Sequence, residues 1–136
     1  MEHLTNIEHL GIAVKSLEEG NALYTKILGV PPYKQEAVEA EGVRTSFFKV
    51  GSTKIELLEA THAESPIAKF IEKRGEGLHH VAYAVDNIKA EMARLSLEGF
   101  RLLNAEPKEG ADHKWVCFLH PKDTGGTLIE LCQDRG

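Results

Sequence analysis

A short stretch with a histidine near its start occurs twice in the chain, and this duplication limits the folds open to it. Leu78-His79-His80-Val81-Ala82-Tyr83-Ala84-Val85 follows the plan of Ile7-Glu8-His9-Leu10-Gly11-Ile12-Ala13-Val14, with His80 placed 71 residues after His9. Ile129-Glu130-Leu131-Cys132 follows Ile55-Glu56-Leu57-Leu58 at a spacing of 74. Two matches at nearly one spacing, in one order, indicate two copies of one supersecondary unit. In each copy the repeated polar residues are one histidine and one glutamate, and both residue types bind divalent metals.

The pattern between these anchors gives the unit. Residues 7–14 alternate as a strand, with His9, Gly11 and Ala13 on one face and Leu10, Ile12 and Val14 on the other. Ser16 and Glu19 form a capping box that starts a helix running to about Leu28, with Leu17, Tyr24, Ile27 and Leu28 as its apolar face and Gly29 as its stop. Residues 34–43 are charged and weakly patterned, and read as an edge strand or a flap. Residues 44–50 and 53–60 read as two strands around Gly51-Ser52. Ser65-Pro66 opens a short connector helix with Ile67, Phe70 and Ile71 on its apolar stripe. The second copy repeats the plan: a strand at 78–85, a helix capped by Asp86 or Asn87 with Ile88, Met92 and Leu95 inward, and strands at 113–120 and 127–133. The expected class is α+β, with two βαβββ modules at about 5–61 and 76–134, a connector helix at about 65–75, and one domain over 1–136.

Bulk properties exclude several functions. A net charge of -5 over 136 residues argues against a general nucleic-acid binder, which would carry a basic patch. No apolar run reaches the length of a membrane span. The N-terminal segment has no basic stretch or long apolar core, so no secretory signal is expected. Cys117 and Cys132 are too few for a disulfide scaffold and read as reduced strand cysteines of a cytoplasmic protein.

Strand parity singles out the repeated polar residues. His9 shares its face with Gly11 and Ala13, and His80 shares its face with Ala82 and Ala84. The bulky faces should pack under the helices, and the small faces should leave room for a concave site. A pseudo-twofold between modules would bring His9, Glu56, His80 and Glu130 together as two imidazoles and two carboxylates, a set suited to a divalent ion without sulfur. The other histidines read as surface or rim residues: His3 and His62 in surface segments, His79 of opposite parity to His80, and His113 and His120 bracketing a strand. Glu36, Glu39 and Glu41 read as solvated surface, or as a flap that carries one carboxylate inward. Lys122 with Gly125-Gly126 reads as a hairpin turn or an anion-binding turn.

Ile7 to Val14, Thr53 to Glu59 (TKIELLE), Ser65 to Val81 (SPIAKFIEKRGEGLHHV) and Phe118 to Leu131 (FLHPKDTGGTLIEL) together resemble the methylmalonyl-CoA epimerases of the vicinal oxygen chelate superfamily. The resemblance spans nearly the whole chain. The histidine and glutamate positions alone specify the superfamily, and the SPIAKFIEKRGEGLHH and HPKDTGGTLIEL stretches specify the epimerases. It implies two modules forming a cupped, mostly antiparallel sheet around one metal, bound by His9, Glu56, His80 and Glu130. Cobalt leads among the implied ions, with manganese, nickel and zinc as the others. Glu56 stands where several members have glutamine, and its extra charge should hold the cation tighter and make it a weaker Lewis acid.

The resemblance also implies an acyl-CoA substrate, a homodimer and an isomerase mechanism. The proton on the carbon between the thioester and the carboxylate is removed, the metal stabilises the enolate, and a proton returns on the opposite face. Glu130 is the implied acid/base on one side. Some members carry a second glutamate where this chain has Thr45, which leaves Glu56, Glu41 or a metal-bound water for the other side. A glyoxalase I-like lactoylglutathione lyase uses nearly the same ligands and is the alternative. An extradiol dioxygenase is disfavoured by the fourth ligand and the short chain, and a metal-free binding module by the retention of all four residues.

Overall fold

The computed structural model describes residues 3–136 and divides them into two compact units, His9–His79 and a second unit of the residues up to Glu8 with His80–Gly136. Met1 and Glu2, the start of the segment read for a secretory signal, lie outside the described residues. Among the described residues no helix is long and apolar enough to cross a membrane.

The first unit draws on strands β1 (Asn6–Ala13), β2 (Lys34–Val38), β3 (Val43–Val50) and β4 (Thr53–Ala60), with helices α1 (Leu17–Leu28) and α2 (Pro66–Arg74). Their spatial order is β2-β3-β4-β1. Pairing is antiparallel except for β4 with β1, which is parallel because α1 and two further strands intervene. Ser16 starts α1 by accepting from the Glu19 amide at 3.2 Å, and Gly29 ends it in the left-handed region at φ 76°. The inward stripe of α1 is Leu17, Gly20, Tyr24 and Leu28. It packs with Val14, Phe48 and Leu57, and Gly20 lets the helix approach so closely that a Cβ there would meet Leu57 at 3.1 Å. Each such fully buried large side chain contributes about 1.5–3 kcal/mol. Ile27, expected on that face, is instead 63% exposed. Ten residues from Leu17 is about 80° short of completing a turn, so Ile27 lies at the edge of the stripe.

The second unit has strands β5 (Gly77–Ala84), β6 (Lys108–Gly110), β7 (Lys114–Leu119) and β8 (Leu128–Asp134), with helix α3 (Ile88–Leu97). Their order is β5-β8-β7-β6, again with only the β5–β8 pair parallel. Asn87 caps α3 by accepting from the Ala90 amide at 3.1 Å. Val85, Ile88, Met92, Cys117 and Leu131 form the core beneath α3, as the sequence periodicity requires. The α+β class and the βαβββ plan of each module are therefore what the chain adopts.

Two local expectations are refined. Residues 34–38 form an edge strand paired along its whole length with β3, followed by a single 3-10 turn at Glu39–Glu41, so the flap reading does not hold there. Strand β6 was not read from the sequence. Its three residues, Lys-Glu-Gly, offer no alternation, and its hairpin turns through Asp112 and His113 at φ 57° and 61° instead of an Asn-Gly or Asp-Gly pair.

The loop between β7 and β8 is closed by its own backbone, with the Gly126 amide bonded to the Pro121 carbonyl at 2.8 Å, and by Arg101. The Arg101 backbone N–H and its guanidinium both donate to Asp123, at 2.8–3.0 Å. These bonds, the side-chain ones foremost, hold the Asp123 carboxyl at about 2, below its ordinary 3.8. A carboxyl depressed in the folded state stabilises above its unfolded pKa, and this contribution disappears as pH falls through the folded value. Arg101→Ala should therefore be less stable than the wild type at pH 6, with the gap narrowing between about pH 4 and pH 2. Urea unfolding at pH 6, 4 and 2 checks this; a gap that persists undiminished at pH 2 would contradict the pairing.

Candidate metal centre

The register of the two parallel strand pairs puts the repeated residues on matching faces. In the first unit Gly11 lies opposite Glu56 and Ala13 opposite Leu58, so His9, Gly11 and Ala13 share a face with Glu56. In the second unit Ala82 lies opposite Glu130 and Ala84 opposite Cys132, so His80, Ala82 and Ala84 share a face with Glu130. His9 Nε2 lies 3.2 Å from Glu56 Oε1, and His80 Nε2 lies 3.1 Å from Glu130 Oε1. All four residues are buried. The structure thus brings the sequence-predicted residues together as two equivalent His–Glu pairs, one in each unit.

Burying a carboxylate is costly unless its charge meets a partner. Here the partner is an imidazole nitrogen in the same geometry twice. The spacing also fits a metal edge: two donors at right angles on an ion with bonds of about 2.1 Å lie roughly 3 Å apart. The donor chemistry is nitrogen and oxygen, suited to first-row divalent cations. Burial pushes the Cys117 thiol up to about 11, and that residue belongs to the core beneath α3, away from the face of Glu130.

At Ala13 and Ala82 the small faces do not leave open space as expected. Ala13 is fully buried against Val43, Leu58 and Ile67 of α2, and Ala82 is fully buried against Val116, Cys132 and Phe118. Small residues are needed there because neighbours on the same face pack directly on them.

Sequence reasoning missed the aromatic wall. Phe47 lies opposite Glu56 and Phe118 opposite Glu130, each on the antiparallel neighbour of the glutamate strand. The His80 ring meets Phe118 edge-to-face, with centroids 6.2 Å apart at 85°. The signal was present, since Phe47 and Phe118 stand 71 residues apart, the spacing of His9 and His80. Lys108 holds its ammonium 5.4 Å from the Phe118 ring centre.

Further charged groups share these faces. In the first unit Glu36 lies opposite Thr45, which pairs with Leu58, so Glu36 is on the Glu56 face; its carboxylate is 3.3 Å from Lys34 Nζ. Among the strand residues of that face it is the second carboxylate. In the second unit Lys114 bonds Asp134 and lies 3.7 Å from the buried Glu8. Burial opposes the Lys114 charge, but Asp134 and Glu8 outweigh it and raise its pKa.

The remaining candidates take structural places. His79 stacks edge-on against Phe70 of α2 at 4.9 Å, His3 pairs with Glu91 at 3.4 Å, and His62 lies 3.8 Å from Glu64 at the surface. His120 accepts from the Lys122 amide at 3.1 Å, a hairpin-loop contact.

Residues 8–118 match the model of the glyoxalase/bleomycin resistance protein/dioxygenase superfamily. The chain is 42% identical to the human mitochondrial methylmalonyl-CoA epimerase over 96% of its length and 75% of that protein. It is 43% identical to an ethylmalonyl-CoA/methylmalonyl-CoA epimerase of Cereibacter sphaeroides, over 93% of this chain and 96% of the other. A solved structure of a Streptomyces coelicolor methylmalonyl-CoA epimerase variant in complex with 2-nitronate-propionyl-CoA superposes with a TM-score of 0.94 at 34% identity, covering 98% of this chain and 99% of that one.

The packing on Ala82 carries its own prediction. Ala82→Leu should destabilise the protein by about 1–3 kcal/mol through overpacking. Denaturant unfolding measures this, and an unchanged midpoint would show that the face has room for a larger side chain.

Proposed function

Because the chain belongs to the glyoxalase/bleomycin resistance protein/dioxygenase superfamily, we propose that it is a metal-dependent epimerase interconverting (2R)- and (2S)-methylmalonyl-CoA. The observation that carries the reading is the pair of buried imidazole–carboxylate contacts at 3.1–3.2 Å, set in a chain about two-fifths identical to epimerases of that substrate class. The same identity favours epimerase over a glyoxalase I-like lyase.

We assign His9, Glu56, His80 and Glu130 to one divalent ion, with Co2+ first among Co2+, Mn2+, Ni2+ and Zn2+. When bound, such an ion supplies electrostatic stabilisation for negative charge developing on oxygen. The chain's own residues carry the proton. Glu130 takes the proton from the carbon between thioester and carboxylate as that C–H bond breaks. A second acid delivers a proton to the same carbon from the opposite face, and the centre is inverted. Glu36 is our assignment for that second group, as the carboxylate on the first unit's face outside the His–Glu pair. Phe47 and Phe118 shield the carboxylates from water, which strengthens electrostatic interactions nearby. The reading takes residues 1–136 as a single vicinal oxygen chelate domain acting as a homodimer. It places the protein in the cytoplasm, in keeping with two buried free cysteines.

Proton NMR in D2O with each methylmalonyl-CoA epimer follows α-hydrogen exchange, and a coupled mutase assay follows inversion. The Co2+-loaded wild type should show both. Glu130→Gln should lose at least about 100-fold of the rate, the usual range for an acid/base group. Glu36→Gln should keep exchange from one epimer and lose inversion. Absence of exchange with any of the four metals would overturn the substrate assignment, and full inversion by Glu36→Gln would overturn the role of Glu36.

A further inference from the structure

The duplication extends to a pair of polar contacts outside the ligand set. Glu59 lies three residues after Glu56, and Gln133 three residues after Glu130. Leu17 lies eight residues after His9, and Ile88 eight residues after His80. In the first unit the Leu17 amide donates to Glu59 Oε2 at 3.3 Å. In the second the Ile88 amide donates to Gln133 Oε1 at 2.8 Å. The residue that follows the histidine strand, at the first turn of its helix, is therefore clasped each time by the strand carrying the glutamate.

These contacts are additional to the ordinary caps. Ser16 and Asn87 already serve the amides of Glu19 and Ala90. Leu17 and Ile88 present a further orphan amide at each helix start, and the chain satisfies it from β4 and β8 instead of leaving it to water. A backbone bond closes the same corner in each unit: Val14 N–H to the Leu58 carbonyl and Val85 N–H to the Cys132 carbonyl, both 2.9 Å.

Strand parity gives the clasp its leverage. Glu56 and Glu59 are an odd number apart, so they lie on opposite faces of β4, and the same holds for Glu130 and Gln133 on β8. A roll of β4 about its own axis swings Glu56 away from His9 and pulls Glu59 off the α1 amide together. Sliding of β4 along β1 changes both contacts as well, because the two strands are parallel neighbours. Arg44 Nη1 bonds Glu59 Oε1 at 3.2 Å and fixes the carboxylate that makes the first clasp.

We propose that Glu59 and Gln133 are positioning residues for metal binding, each locking the roll and register of a glutamate strand against its histidine strand. This rests on the metal reading above. The test is the apparent affinity for Co2+, measured by competition with a chromophoric chelator, with the visible absorption of bound Co2+ and far-UV circular dichroism recorded on each variant. Glu59→Ala and Gln133→Ala should bind Co2+ about tenfold more weakly with an altered spectrum. Glu59→Gln and Gln133→Glu keep the acceptor and should match the wild type within about twofold, since supporting contacts act through that hydrogen bond. Glu59→Asp and Gln133→Asn shorten the reach while preserving polarity, and should weaken binding if the alanine variants fail to fold. Wild-type affinity and spectrum in the alanine or shortened variants, with only a lowered melting temperature, would overturn the positioning role and leave plain helix caps. A wild type that takes up no Co2+ would instead overturn the metal reading itself.

Discussion

Two carboxylates buried among apolar side chains set the terms for this fold. Glu56 and Glu130 are each only 5% exposed, and such groups are tolerated when a partner offsets the loss of water. In each unit the partner is a histidine on a parallel neighbouring strand, at 3.1–3.2 Å. A single pair of this kind would be an ordinary buried contact. Here the same pair is built twice, at equivalent places in a duplicated chain.

The rest of each unit follows from holding that pair. A parallel neighbour requires a crossover, and α1 and α3 provide it while burying the opposite faces of the strands. Gly11 and Ala82 stand opposite the glutamates, and Ala82 is covered by Val116, Cys132 and Phe118. Phe47 and Phe118 stand opposite the glutamates on the other side and exclude water. Each histidine and glutamate of the two pairs is thus carried on a strand braced by regular pairing, an arrangement that holds side chains more precisely than a loop does.

The duplication made the fold and the four repeated histidine and glutamate residues legible from sequence. His9, Glu56, His80 and Glu130 repeat at constant spacing in alternating strands, and parity alone gives their faces. What parity does not give is the third dimension of packing. Ala13 and Ala82 looked like open space, yet both are covered by neighbours from other strands and from α2, which no local pattern records. Glu36 lies on β2, which has no apolar alternation, and its place opposite Thr45 comes from pairing with β3. Strand β6 leaves no local signal because its turn uses Asp112 and His113, residues tolerated in the left-handed region but carrying no hairpin signature. Phe47 and Phe118 stand at the same 71-residue spacing as the histidines, so the repeat itself carries them.

In the proposed function the two His–Glu pairs serve one ion. Metal stoichiometry tests it most directly: Co2+ uptake per chain, measured by elemental analysis after dialysis, for the wild type and for His9→Ala, Glu56→Ala, His80→Ala and Glu130→Ala. One ion per chain, weakened by substitution in either unit, is the predicted result. Two ions per chain, or a single ion retained in full by both variants of one pair, would contradict it.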